Sequence, residues 1–199
     1  MSDIVLFHSV LGLRGRGAGR RGPAARGGPH RAHPDYYDGR TFDEYPPALA
    51  WLEATGGLPD VIARAAAATG DLPQDLVYAG FSLGGGPAEQ LAATRPGAQG
   101  LILLHAAIPL DGLGVPRWPG TVPVQVHFAT GDPYRGKAGL DSFAASVQAS
   151  GALYGQFDYP GRGHLFTDRT RPGEYDEQSA ELLFSRVLAF LGRIGGGEP

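Results

Sequence analysis

Leu76-Val77-Tyr78-Ala79-Gly80-Phe81-Ser82-Leu83-Gly84-Gly85-Gly86-Pro87 joins a strand-length apolar run to a glycine-rich turn and the opening of a helix. Gly-x-Ser-x-Gly between a strand and a helix marks a sharp turn that holds a serine on strained backbone with its hydroxyl exposed. The flanking glycines let neighbouring backbone pack where a Cβ would clash. Leu83 then presents its N–H at a helix N-terminus, where unpaired donors and the helix dipole favour an oxyanion. Five residues match by chance in many chains, so the weight of the motif comes from its surroundings.

Four further apolar runs share the strand signature: Ile4 to Phe7, Leu101 to Leu104, Val122 to Phe128, and the weaker Leu153 to Tyr159. Each is bounded by Gly, Pro, Asp or His, and most are too short for a helix. Between them lie Ala- and Leu-rich stretches of helical length, Pro59 to Thr69, Pro87 to Thr94, Leu140 to Ser150 and Glu177 to Ile194. The last places Leu182, Leu183, Val187, Leu188 and Phe190 largely on one face, which predicts docking on a sheet. Strands alternating with helices imply βαβ units, and hence an α/β fold with a mostly parallel central sheet and helices on both faces. In such a sheet ligands bind beyond the carboxyl ends of the strands. Ser82, Asp132 and the start of the loop after Val10 all fall just past strand ends, and His164 follows the strand that closes at Tyr159.

A serine hydroxyl is a weak nucleophile at neutral pH and needs a base, which in turn needs a group to hold its tautomer. His164, in Pro160-Gly161-Arg162-Gly163-His164, follows the last strand, and Asp132, in Gly131-Asp132-Pro133, follows the one before it. The bland alternatives are a Gly-Asp-Pro turn and an ordinary loop histidine. The chain order Ser82, Asp132, His164 favours a triad. A second oxyanion donor is expected from the loop after the first strand, with Val10 the candidate and Leu11 next.

The chain has 199 residues, no cysteine and a formal net charge of −3. Its length fits one domain, 1–199, large enough to bury a sheet on both faces without a disulfide or metal. Absence of cysteine and an acidic Asp3 before a short apolar run predict a cytoplasmic protein with no membrane association. Of 17 Lys and Arg residues, six lie between Arg14 and Arg31, leaving 11 against 20 acidic residues elsewhere. That balance argues against nucleic acid as a partner. His8 and His105 lack a partner at ligand spacing, so no metal is expected, and no cofactor is implied. A monomer or small homo-oligomer is expected.

Ile4 to Leu13, Pro34-Asp35-Tyr36-Tyr37-Asp38-Gly39, Gly80 to Gly85, Gly131-Asp132-Pro133 and Tyr159 to Phe166 resemble the dienelactone hydrolase family. The resemblance implies a compact α/β-hydrolase fold with no lid domain, acting on small esters or lactones. Its best-known members use a cysteine nucleophile where this chain has Ser82. They also place a glutamate where this chain has Ser9, so their thiol-activation switch is missing here. The expected chemistry is acyl-enzyme formation on Ser82, with the acyl group passing to water or another acceptor. A catalytically weak or inactive protein that keeps the scaffold to bind a ligand is the alternative. Phe81, Tyr37, Trp118, Tyr134 and Phe166 are expected to contact substrate, with Tyr36 and His105 further candidates, although each serves equally well as a packing residue. Arg40 and Arg162 are candidates for a substrate carboxylate, though exposed arginines usually face water.

One segment departs from this pattern. Residues 14–33, RGRGAGRRGPAARGGPHRAH, stand where a crossover helix and much of the second strand belong, yet contain no Val, Ile, Leu, Met or aromatic residue. Such a stretch cannot cover a sheet face or fill a central strand. The composition is that of GC-rich coding DNA read out of frame, which favours a compensated frameshift over an RGG-like arm with no interleaved aromatics. Poor cover beside the first strand and a misplaced Val10 loop are the expected consequences.

Overall fold

The computed structural model describes residues 3–14 and 31–195. Most of the arginine-rich segment, residues 15–30, therefore lies outside the described residues. Among these, six strands form one sheet: β1 (Asp3–Phe7), β2 (Arg31–Ala32), β3 (Leu76–Phe81), β4 (Gly100–Leu104), β5 (Val124–Ala129) and β6 (Tyr154–Tyr159). The order is β2-β1-β3-β4-β5-β6, and every neighbouring pair is parallel. The five apolar runs all become strands, shifted at most two residues at their ends. The two-residue β2 comes from the tail of the anomalous segment and occupies an edge, where few apolar side chains are demanded.

Among the described residues, five helices complete the architecture: α1 (Tyr45–Ala54), α2 (Gly57–Ala68), α3 (Gly85–Thr94), α4 (Lys137–Ala149) and α5 (Glu177–Gly195). Pleat alternation divides the core into two layers. Tyr78, Leu101, Leu103, Val124 and Val126 pack with residues of α2, α3 and α4 on one face. Val77, Ala79, Ile102 and Leu104 pack with Leu183 and Phe190 of α5 on the other. Leu182 and Leu188, expected on the docking stripe of α5, are exposed instead. Val187, Leu191 and Ile194 join Leu183 and Phe190 because that i, i+4, i+7, i+8, i+11 row points at the sheet. On the α5 side of β1, Ile4 and Leu6 are only half-buried.

Helix α1 was not anticipated. Pro46 and Pro47 occupy its first turn, where a missing N–H costs nothing and a fixed φ is pre-organised. The parallel order brings the ends of β1, β3, β4, β5 and β6 to one edge, and the loops leaving them build a cleft.

Candidate active site

Ser82 opens a single 3-10 turn between β3 and α3 with φ +50°, in the left-handed region that non-glycine residues occupy only under constraint. The constraint is packing. A Cβ on Gly80 would lie 2.1 Å from the Gly84 carbonyl oxygen, and one on Gly84 would lie 2.5 Å from that of Phe7. The two motif glycines thus allow the turn to close on itself and to press against the end of β1.

The hydroxyl of Ser82 is 2.7 Å from Nε2 of His164, and Nδ1 of His164 is 2.8 Å from Oδ2 of Asp132. Asp132 is held by the Tyr134 N–H, which donates to Oδ1 at 2.8 Å. The two strand-end loops are tied together by the Gly131 N–H donating to the Gly161 carbonyl at 2.9 Å. Asp132 and His164 are buried, which shields their interaction from water. An Nδ1–H···carboxylate bond leaves Nε2 as an acceptor aimed at Ser82, the state required of a general base.

Val10 and Leu83 line the same cleft as Ser82 and His164. The loop bearing Val10 is anchored from downstream of the anomalous segment: the Tyr36 hydroxyl donates to the His8 carbonyl, and the Phe42 N–H donates to that of Leu11 at 2.9 Å. The Leu11 N–H donates to Ser9 Oγ at 3.3 Å. Residues 36–42 thus supply the support that the arginine-rich stretch was expected to withhold.

The cleft measures about 250 Å³ and is lined chiefly by Tyr45, Leu49 and Leu52 of α1, Ala106 to Ile108 after β4, Phe128, Tyr134 and His105. Of the five aromatic residues expected to touch substrate, Tyr134 alone lines it. Trp118 is buried against Phe143, its Nε1–H donating to the Val122 carbonyl at 2.8 Å. Tyr37 is buried against Trp51 and His8. Phe166 packs on His105 and Tyr159. Phe81 faces a neighbouring hollow with Leu6 and His8. These side chains follow the demands of the core rather than their nearness in sequence to strand ends. Sequence reasoning missed the α1 wall for want of the helix itself; the Leu49 and Leu52 pair at i, i+3 was its signal.

Two supporting features stand beside the cleft. His105, at φ +67°, is buried and meets Thr167 Oγ1 through Nε2 at 3.1 Å. Burial, with the neighbouring His164 and His127, holds its pKa far below the ordinary range, so the ring is neutral. Glu174 accepts from the Tyr45 hydroxyl at 2.9 and 3.0 Å, from the Leu165 N–H at 2.8 Å and from Arg171 Nε. Burial alone would raise this carboxyl, but those donors hold it below its usual range. Among the described residues no group of three His, Cys, Asp or Glu side chains is placed to hold a metal ion, and no helix is long and apolar enough to cross a membrane.

Sequence comparison with protein families matches the dienelactone hydrolase family over residues 47–195. The chain belongs to that family. No curated protein matches it in sequence. Among solved structures, it is similar to the dienelactone hydrolase-like promiscuous phosphotriesterase P91 from metagenomic libraries, at 18% identity over 98% of this chain and 87% of that one, TM-score 0.77. A candidate dienelactone hydrolase from Klebsiella pneumoniae is 20% identical over 95% of this chain and 85% of that one, TM-score 0.69. Thermogutta terrifontis esterase 2, phosphonylated by cyclosarin, is 18% identical over 100% and 84%, TM-score 0.56. These likenesses establish the α/β-hydrolase fold for this family member.

Proposed function

We propose that the protein is a serine hydrolase of small carboxylic esters or lactones, working through an acyl-enzyme. The observation that carries this is the hydrogen-bonded chain from Ser82 through His164 to Asp132, beginning on strained backbone inside the cleft. Ser82 Oγ attacks the carbonyl carbon as His164 Nε2 takes its proton, and the N–H groups of Leu83 and Val10 receive the oxyanion. Asp132 fixes the tautomer of His164 and stabilises the imidazolium. Collapse of the tetrahedral adduct expels the alcohol, which takes the proton from His164. Water, deprotonated by the same nitrogen, then attacks the acyl carbon and releases the acid and free Ser82. For a lactone the expelled alcohol stays attached to the acyl group, and the product is a single hydroxy acid.

The family supports a hydrolase, and two structural relatives are named as a phosphotriesterase and as an esterase carrying a phosphonyl adduct. A fluorophosphonate probe is therefore expected to label Ser82, and Ser82→Ala to abolish both labelling and turnover of a short-chain para-nitrophenyl ester. Folded protein that takes no label and turns over no ester would overturn the proposal.

A further inference from the structure

Small active-site clefts select substrate as much by the charges they withhold as by those they present. The cleft around Ser82 falls below the ~300–1,000 Å³ typical of ligand pockets, and its walls are Leu49, Leu52, Leu83, Ile108 and Phe128. Among the described residues, no Lys or Arg lines it. Three cations on elements that border it are engaged, while Arg162, two residues before His164, is exposed with its stem against Gly131 and is not part of the lining. Arg171 donates to Glu174 and, at 2.7 Å, to the Asp43 carbonyl; Arg135 pairs with Asp158 at 2.9 Å; Lys137 pairs with Asp141 at 2.5 Å.

Nor do the polar side chains of the lining, Tyr45, Tyr134 and His105, supply a positive charge. The Tyr45 hydroxyl is spent on Glu174, and His105 is neutral and joined to Thr167. Two carboxylates lie just behind the wall, Asp132 beneath His164 and Glu174 beneath Tyr45. An anionic substituent entering here would lose hydration, find no cation in the lining and stand near the Asp132 carboxylate. A neutral hydrocarbon chain would instead bury apolar surface against the leucines.

We propose, on the reading of the site as an esterase, that this cleft selects neutral, apolar acyl groups and rejects acyl groups that carry a carboxylate. Small aliphatic esters and unsubstituted lactones are then the substrate class, rather than half-esters of dicarboxylic acids or lactones bearing an acid.

Para-nitrophenyl hexanoate and mono-para-nitrophenyl adipate share a leaving group and a six-carbon acyl chain, differing in a terminal carboxylate. The wild type is expected to favour the hexanoate in kcat/KM by at least ~100-fold, the cost of an uncompensated charge in a dry site. Leu49, 43% exposed at the rim, offers a place to supply the missing cation. Leu49→Lys should narrow the preference at least ~10-fold through faster turnover of the adipate ester. Comparable kcat/KM for both esters in the wild type would overturn the selectivity while leaving the esterase reading intact. An unchanged preference in Leu49→Lys would overturn its electrostatic cause. Turnover of neither ester by folded protein would overturn both proposals together.

Discussion

Glu174 receives donors from three separate stretches of chain, and its removal tests how the histidine loop is held. Its carboxylate accepts from the Leu165 N–H at 2.8 Å, from Tyr45 of α1 and from Arg171, and the Glu174 and Arg171 side chains are 17% and 14% exposed. A hydrogen bond to a charged acceptor contributes about 1.5–3 kcal/mol, and breaking a buried ion pair by deleting one partner costs about 3–5 kcal/mol. These contributions are not additive, and water admitted by the truncation rehydrates part of the site. Glu174→Ala is therefore expected to lower the unfolding free energy by roughly 3 kcal/mol, with an unchanged m-value in urea. Glu174→Gln keeps an oxygen for the Leu165 N–H and should recover about half of the loss. Since Leu165 adjoins His164 and the Tyr45 ring lies 6.0 Å from the imidazole, kcat for ester hydrolysis should fall about tenfold in the alanine variant, with KM less affected. A stability loss under about 1 kcal/mol with unchanged kcat would refute the argument that Glu174 positions the histidine loop.

Asp132→Asn should leave the fold intact and lower kcat about 10⁴-fold, because an amide cannot hold the required tautomer of His164; steady-state kinetics beside a thermal melt will separate the two effects. Gly80→Ala should cost more than about 3 kcal/mol or yield insoluble protein, since its Cβ would lie 2.1 Å from the Gly84 carbonyl oxygen. Glu89, fully buried on α3 and accepting from the Ile108 N–H at 3.0 Å, has its pKa raised by burial. The unfolded chain releases this proton above pH ~4.5 and the folded one retains it, so stability is lost as pH rises. Glu89→Gln should accordingly raise Tm at pH 8, with the gain vanishing near pH 4; a variant less stable than wild type at pH 8 contradicts this. Burial lowers His127 from 6.5 to about 3, so stability is full above pH 6.5 and is lost as pH falls towards 3. The slope is up to about 1.4 kcal/mol per pH unit for this group, and His127→Gln should flatten it in urea titrations.

Much of the fold was legible because its signals are local. Leu76 to Ala79 and Leu101 to Leu104 are too short and too apolar to be anything but buried strands in this setting, and each leads into a turn marked by Gly or His. The placement of Ser82, Asp132 and His164 beyond strand ends followed from parallel topology, since such a sheet gathers those ends on one edge. Helix α1 escaped because Pro46-Pro47 carries the same local signal in a loop as in a first helical turn. Trp118 and Phe166 were misplaced because an aromatic residue near a strand end satisfies either a core or a cleft, and only the neighbours decide between them.

The sequence by itself determined the sheet, the strained serine turn and the order of the three residues that meet there, because apolar runs and glycine spacing act within a few positions of the chain. Tertiary structure alone decided the walls and charge of the cleft. Tyr45 and Glu174 meet across 129 positions, Arg171 donates to the Asp43 carbonyl, and Arg135 pairs with Asp158 of β6. Which way a side chain turns, and whether its charge is already paired, are properties of packing between distant segments that no local pattern records.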